Sequence, residues 1–332
     1  MNRSPVWRGA AIAAAIVVYA VAAGSAAAKT HWADLRVVTH TGKTLAEFRQ
    51  YTGAVALHAS RKADCFGPDN PSSGRRYRLR RADALGILKD ALASDHALRP
   101  LLVNDAFVDD GFGLGVCAIG GFETSGFSFW DLIANHVASS TGASLTPVRN
   151  GDEILWYDTS GSEPSSGPRE LALVAPPSAG SGDPFTVKVV RFSAQGKSDP
   201  AAGVEVFAGN RPLGTTGANG ELQVRLTSSA VLEAVGTPDD IASNHVAVCV
   251  PAAQRACPDA HGKLIYGSTH ADGIRGTRGW DRIKARGGGD VVNLRSGGRD
   301  RVNCGGGGDR VILDRGDRDD RIGPSCERVL RR

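Results

Sequence analysis

A short repeat in the last quarter of the chain constrains its fold more than any other feature. Six times, an aspartate is followed two residues later by an aliphatic residue, and a glycine stands two positions before four of these aspartates. The repeated aspartates are Asp272, Asp281, Asp290, Asp300, Asp309 and Asp320, which are 9, 9, 10, 9 and 11 positions apart. This period is typical of a parallel β-roll, in which each repeat supplies one turn and one short strand.

The aspartates of such a roll are candidate metal ligands. Carboxylate and turn carbonyl oxygens are hard donors that suit calcium, which takes about six to eight oxygen ligands. Successive turns alternate sides, so one rim would carry Asp272, Asp290 and Asp309, and the other Asp281, Asp300 and Asp320. Residues 265–323 resemble the haemolysin-type calcium-binding repeat family, and the resemblance implies calcium as a cofactor. The glycine-rich pairs Asp290–Asp309 and Asp281–Asp300 are the best candidates.

The charge of the repeat region allows a second interpretation. Residues 272–332 contain 15 Lys and Arg against 10 Asp and Glu, a net charge of +5, and the double glycine of the family pattern is mostly lost. Arginine directly follows the aspartate at Arg282, Arg301, Arg310 and Arg321. These guanidinium groups could pair with carboxylates on adjacent coils and replace calcium. A disordered Gly/Arg/Asp tail is a third possibility, which the regular aliphatic residues argue against.

The N-terminal residues predict export. Arg3 and Arg8 precede an apolar run at 10–22, and three alanines at 26–28 form a small-residue cleavage site. Residues 1–28 are therefore expected to be a signal peptide, with an uncleaved anchor as the alternative. No later apolar run is long enough to span a membrane. Loss of the two arginines lowers the net charge from +4 to +2, so charge alone does not predict a nucleic-acid partner.

Six cysteines in an exported chain predict disulfides. Their positions along the chain suggest three local pairs, although six cysteines allow many connectivities. The predicted pairs are Cys65–Cys117, Cys249–Cys257 and Cys304–Cys326.

Two linkers divide the chain into three segments and predict a multidomain, mainly β protein. Both linkers, at 159–168 and 251–262, are polar or proline-containing and lack apolar periodicity. We expect an α+β domain at 29–158, a β-sandwich at 169–250 and the β-roll at 263–332. The α+β domain should contain one helix at 82–93, where Leu85, Leu88 and Leu92 fall on one face.

The first segment resembles the transcobalamin carboxy-terminal-like family over about residues 33–158. The resemblance rests on the aromatic stretch 127–135, which includes Trp130, and on Gly-Asp-Glu-Ile-Leu-Trp-Tyr at 151–157, which includes Trp156. It implies a β-grasp-like fold and a small ligand such as a corrinoid, with Trp130 and Trp156 as weak candidate contacts. The alternative is that these two residues and Tyr157 pack in a sheet.

The middle segment is expected to be all-β. Residues 185–190 alternate between apolar and polar side chains, and Asn219-Gly220 is a strong turn signal before the strand at 222–226. Residues 202–226 resemble the transthyretin or carboxypeptidase-regulatory type of immunoglobulin-like module. That resemblance implies a spacer or an adhesion unit rather than an enzyme.

No catalytic motif stands out in the sequence. The eight histidines are scattered, and no metalloprotease pattern or nucleophile elbow occurs. Asp105, Asp109 and Asp110 could form a paired-carboxylate site but lie in an expected loop, and the basic run at 75–81 could contact a polyanion or form a solvated edge strand. We therefore expect an exported, non-catalytic binding protein whose partner is a protein or an envelope polymer rather than a nucleic acid.

Overall fold

A computed structural model describes residues 29–124, 130–159, 167–251 and 262–332, and the regular secondary structure of these residues is almost entirely β. The predicted signal peptide, most of the two linkers and Cys257 lie outside the described residues. No helix in the described ranges is long and apolar enough to cross a membrane. The prediction of a multidomain, mainly β fold is confirmed.

The first domain is a mixed sheet with one α-helix packed on it. Its strands are β1 (His31–Val38), β2 (Thr44–Thr52), β3 (Val55–His58), β4 (Arg76–Leu79), β5 (Leu101–Asn104), β6 (Gly115–Ile119), β7 (Phe122–Glu123), β8 (Trp130–Ala134), β9 (Val137–Ala138) and β10 (Asp152–Asp158). The main sheet has the order β2-β1-β10-β8-β6-β5, in which β1 and β10 pair in parallel. The first and last strands of the domain thus lie side by side within the sheet.

The helix α1 (Ala84–Ser94) begins two residues later than the sequence predicts. The reason is the cap at Asp83, whose carboxylate accepts a 2.8 Å hydrogen bond from the backbone N–H of Gly86. Leu85, Leu88 and Leu92 are buried against the sheet as expected. A short 3-10 helix (His96–Leu98) follows α1.

Residues 169–250 form the predicted β-sandwich. The strands are β11 (Arg169–Val174), β12 (Pro184–Phe192), β13 (Ser198–Pro200), β14 (Glu205–Ala208), β15 (Arg211–Thr215), β16 (Glu221–Arg225), β17 (Ala230–Val235), β18 (Asp240–Ile241) and β19 (Val246–Val248). One sheet has the order β13-β12-β11-β18 with β16 on β12, and the other has the order β15-β14-β17-β19. Val187, Val206 and Leu232 are fully buried in the core between them.

The repeats form a parallel β-roll of two sheets, which excludes the disordered-tail interpretation. The strands are β20 (Leu264–Tyr266), β21 (Gly273–Arg275), β22 (Arg282–Lys284), β23 (Val291–Asn293), β24 (Arg301–Asn303), β25 (Arg310–Leu313), β26 (Arg321–Ile322) and β27 (Arg328–Arg331). The two sheets have the orders β20-β22-β24-β26 and β21-β23-β25-β27. The aliphatic residue of each repeat points inward, so that Ile283 pairs with Val302 and Val292 with Val311 in register.

The roll is continuous with the first domain. Strand β20 pairs in parallel with β2, so one roll sheet extends the main sheet of the first domain. Tyr51, on β2, is buried in the core of the roll together with Ile265 and Ile274, and Trp32 packs against that core. The first domain thus closes one end of the roll.

Two of the three predicted disulfides are present. Cys65 is bonded to Cys117 in the first domain, and Cys304 is bonded to Cys326 in the roll. The third predicted pair, Cys249–Cys257, includes a residue outside the described part of the chain.

Candidate cation site in the β-roll

The repeated aspartates form a column along each rim of the roll. On the first rim, the backbone N–H of Asp272 donates a 2.8 Å hydrogen bond to Oδ1 of Asp290. The N–H of Asp290 donates in the same way to Oδ1 of Asp309, and the N–H of Asp309 to Oε2 of Glu327, each at 2.8 Å. Each carboxylate therefore satisfies a backbone donor of the coil before it.

The second rim repeats this arrangement. The N–H of Asp281 donates to Oδ1 of Asp300, and the N–H of Asp300 donates to Oδ1 of Asp320, both at 2.8 Å. The structure therefore brings together Asp272, Asp290 and Asp309 on one rim and Asp281, Asp300 and Asp320 on the other, which are the two groups expected from the repeat.

These carboxylates lie in the interior. Asp290, Asp300 and Asp309 are each 0% exposed. A buried carboxylate normally has a hydrogen-bond partner on each oxygen, because an unsatisfied buried polar atom is costly. Here Oδ2 has no hydrogen-bond partner among the described residues in Asp290, Asp300, Asp309 and Asp320.

The first aspartate of each rim differs from those that follow. Asp272 accepts hydrogen bonds from the backbone N–H and the hydroxyl of Ser268, at 2.6 and 3.2 Å. Asp281 accepts from the N–H and the hydroxyl of Thr277, at 2.5 and 2.8 Å, and also from the N–H of Lys263. Both oxygens of these two carboxylates are therefore satisfied within the protein.

Burial and neighbouring carboxylates raise the pKa of two later aspartates, Asp290 and Asp300. Burial, with the neighbouring carboxylates of Asp272 and Asp309, raises the pKa of Asp290 to about 7. Burial, with Asp281 and Asp320 nearby, raises the pKa of Asp300 to about 8. Without a compensating cation, Asp290 is partly protonated and Asp300 is mostly protonated near neutral pH.

Glycines bring backbone carbonyls close to the columns. A Cβ added to Gly298 would lie 2.1 Å from the carbonyl oxygen of Gly279, and one added to Gly307 would lie 1.6 Å from that of Gly288. Gly298 and Gly307 also have φ angles of 118° and 138°, which favour glycine. The missing side chains leave turn carbonyl oxygens packed closely along each rim, and these are further hard donors.

The predicted arginine–aspartate pairs are not formed by Arg301, Arg310 or Arg321. Their side chains are exposed, and none of them forms an ion pair with a carboxylate in the described ranges. The reason is the alternation of a strand, which directs the arginine outward when the residues on either side of it point inward. Backbone N–H groups donate instead to Oδ1 of Asp300, Asp309 and Asp320.

The site contains few carboxylates per turn. Across the residues that the structure describes, no three side chains of His, Cys, Asp or Glu converge as a metal-binding group. A cation on a rim would therefore have two aspartates of adjacent coils and would depend on carbonyl oxygens or water for its remaining ligands.

The repeat pattern does not predict three residues that hydrogen-bond with the aspartates of the two columns. Glu327 takes the place of an aspartate at the last coil, and its signal is Glu-Arg-Val at 327–329, which repeats Asp-Arg-Val with one extra methylene. Ser268 and Thr277 stand four residues before Asp272 and Asp281, and no later repeat has a hydroxyl that binds its aspartate in this way.

The two candidate ligand-binding tryptophans of the first domain pack in its hydrophobic core. Trp130 and Trp156 are 2% and 1% exposed and belong to the core, and the indole N–H of Trp130 donates to the carbonyl of Phe122 at 3.0 Å. The cavity beside them measures about 120 Å³. Pockets for drug-sized ligands measure roughly 300–1,000 Å³, so this cavity does not match a corrinoid.

The three aspartates of the acidic loop do not form a paired-carboxylate site. Asp105 accepts hydrogen bonds from Ser72, Ser73 and Tyr77 and so joins its loop to β4 and the segment before it, whereas Asp109 and Asp110 are exposed. The basic run at 75–81 contains β4, which pairs only with β3 in a two-stranded sheet.

A second polar cluster lies between the first domain and the sandwich, around a cavity of about 370 Å³. Nδ1 of His136 lies 2.9 Å from Oε2 of Glu170, which also pairs with Arg36. Nδ1 of His245 lies 2.6 Å from Oε2 of Glu47. Each histidine of one domain thus faces a glutamate of the other, and hydrogen bonding to these glutamates raises the pKa of both imidazoles.

Comparison with protein-family models, with curated proteins and with solved structures finds no match to this chain.

Proposed function

We propose that this chain is an exported, non-catalytic binding protein whose β-roll binds calcium along its rims. One observation carries the proposal. Four carboxylates of successive coils each have a buried oxygen without a hydrogen-bond partner among the described residues, and the four belong to Asp290, Asp300, Asp309 and Asp320. A divalent cation bound by these oxygens would satisfy them and cancel the repulsion along each rim.

The residues divide into ligands and structural caps. Asp290 with Asp309, and Asp300 with Asp320, would hold the cation, together with turn carbonyls such as that of Gly288. Asp272 and Asp281 would act as caps, because both of their oxygens already accept hydrogen bonds. Bound calcium would supply the positive charge that the interior of the roll otherwise lacks.

Export agrees with this assignment. The N-terminal residues have the pattern of a signal peptide, and the two disulfides of the described residues favour an oxidising compartment. Calcium modules that act outside cells bind at roughly 0.1–1 mM, which two carboxylates with carbonyl ligands could reach.

The test uses the whole oxidised chain without residues 1–28, since β20 pairs with β2 and the roll shares a sheet with the first domain. Thermal unfolding would be followed in chelator and in calcium up to about 10 mM, well above the expected dissociation constant. We expect a calcium-specific rise in Tm, equivalent to about 1–3 kcal/mol of added stability. Magnesium at the same concentration is the control, and an equal Tm in calcium and in chelator would contradict the proposal.

A further inference from the structure

Three arginines of the roll stand side by side on one outward face. In the parallel pairing of β22, β24 and β26, Arg282 lies beside Arg301, and Arg301 lies beside Arg321. All three are exposed. Adjacent strands are about 4.8 Å apart, so the three residues form a straight column along the roll at that spacing. We refer to these three residues as the arginine column.

The arginine column is costly for the fold. Like charges directly opposite on neighbouring strands are destabilising. The carboxylates of Asp300 and Asp320 do not offset this cost at Arg301 and Arg321, because they face the interior and accept hydrogen bonds from backbone N–H groups. Arg301 and Arg321 form no ion pair with the carboxylates of the described ranges. Lys284 adds a further cation on the outward face of β22, one position from the interior residue Ile283.

We propose that the arginine column binds a linear anionic polysaccharide with one carboxylate on each sugar. A guanidinium group forms two parallel hydrogen bonds with a carboxylate, so a row of arginines favours a row of carboxylates. A chain bound in this way would lie along the axis of the roll.

The outward positions on these strands favour a polysaccharide over a single-stranded nucleic acid. Proteins bind single strands with aromatic side chains on which bases stack. Besides the arginine column, the outward residues of β22 and β24 are Lys284 and Asn303, neither of which is aromatic. The proposal goes beyond the calcium site, because it depends on outward side chains and requires no cation on the rims.

The test measures binding of short oligogalacturonides to the whole oxidised chain by titration calorimetry, at low salt and at physiological salt. The variant Arg301→Gln/Arg321→Gln is compared with Arg275→Gln/Arg295→Gln, which removes the same charge from exposed arginines outside the column. Charge-assisted hydrogen bonds to a carboxylate are strong enough that we expect the column variant to bind about tenfold or more weakly, and the control variant to bind like the unchanged protein.

Other measurements separate this idea from loss of fold and from failure of the calcium site. Both variants should keep the calcium-dependent rise in Tm, because all four arginines are exposed, and the column variant should have a slightly higher Tm overall because neighbouring like charges are removed. Equal affinity of the column variant and the unchanged protein would overturn the proposal, and so would equal losses in the two variants. Tighter competition by single-stranded DNA than by oligogalacturonide would overturn the assignment to a polysaccharide.

Discussion

The backbone N–H of Asp281 donates a 2.8 Å hydrogen bond to Oδ1 of Asp300, while Oδ2 of Asp300 is buried with no hydrogen-bond partner in the described ranges. The carboxylate of Asp281, one coil earlier, is bound through both oxygens by Thr277. Two residues of the same type on the same rim thus have opposite needs. Both carboxylate oxygens of Asp281 are needed as acceptors for the donors around it, whereas Oδ2 of Asp300 has no donor to accept from in the described ranges.

The same substitution should therefore have opposite effects at the two positions. In chelator at about pH 8.5, above the pKa of about 8 of Asp300, Asp300→Asn should stabilise the chain by about 1–3 kcal/mol, because it removes a group that is mostly charged and buried. Asp281→Asn should destabilise it by about 1–3 kcal/mol, because an amide N–H would face the donors of Thr277. Urea unfolding of both variants measures the difference, and destabilisation by Asp300→Asn would argue against an unsatisfied charge at that position.

The stability of the calcium-free chain should fall as pH rises. The folded-state pKa values of about 7 for Asp290 and about 8 for Asp300 lie above the ordinary value of 3.8. Their contribution is fully present below pH 4 and is lost progressively as pH rises through 7 and 8, by up to several kcal/mol. Urea unfolding in chelator at pH 5 and at pH 8.5 checks this, and calcium should restore stability at the higher pH. Equal stability at both pH values would exclude the effect.

Removal of Tyr51 should weaken the roll although Tyr51 belongs to the first domain. Its ring is buried in the core of the roll, so Tyr51→Ala should cost about 3–5 kcal/mol, the usual range for a buried aromatic residue. The calcium concentration at half-maximal stabilisation should also rise. Tyr77→Ala, on the two-stranded sheet of β3 and β4, is the control and should leave the calcium response unchanged. An unchanged calcium response in Tyr51→Ala would mean that the roll folds independently.

The contact between the first domain and the sandwich should loosen above neutral pH. His136 faces Glu170, Glu153 and Arg36, and its pKa is raised above 6.5 by the hydrogen bond to Glu170. A raised histidine pKa stabilises the contact below about pH 6.5, and the contribution is lost as pH rises through the raised value.

His245 contributes in the same way from the sandwich, where it faces Glu47, Glu233 and Arg36. Solvent reaches both imidazoles, so each pair is worth about 1 kcal/mol or less. His136→Gln/His245→Gln should therefore flatten the change in Tm between pH 6 and 8.5 in saturating calcium, whereas the exposed His58→Gln should not. A pH profile that is the same in all three proteins would contradict this prediction.

Features set by the repeat period and by the order of residues along the chain could be predicted from the sequence. The period of the repeat places every second turn on the same side, which is why both rims were predicted correctly. The pairs Cys65–Cys117 and Cys304–Cys326 were also predicted from their positions along the chain. The hydroxyls of Ser268 and Thr277 were visible in the sequence, yet only the structure shows that they satisfy their aspartates.

Features that depend on distant pairing could not be predicted. Strand β2 has no clear strand pattern in the sequence, because Gln50, a polar residue, occupies a fully buried position and interrupts the apolar alternation. It is buried because its amide donates to the carbonyl oxygens of Tyr51 and Gly267, and the latter contact joins residues far apart in the chain. The local sequence of β2 or of β20 likewise does not indicate that these two strands pair in parallel.

The shared sheet also gives the roll a direction of assembly. Each coil contacts mainly its immediate neighbours, so the array behaves as a one-dimensional chain of interfaces. The coil that contains β20 has a preformed template in β2, and every later coil uses the one before it as its template. Folding should therefore nucleate at Thr44–Thr52 and propagate away from it, and the coils farthest from that strand should be the first to exchange their amide hydrogens.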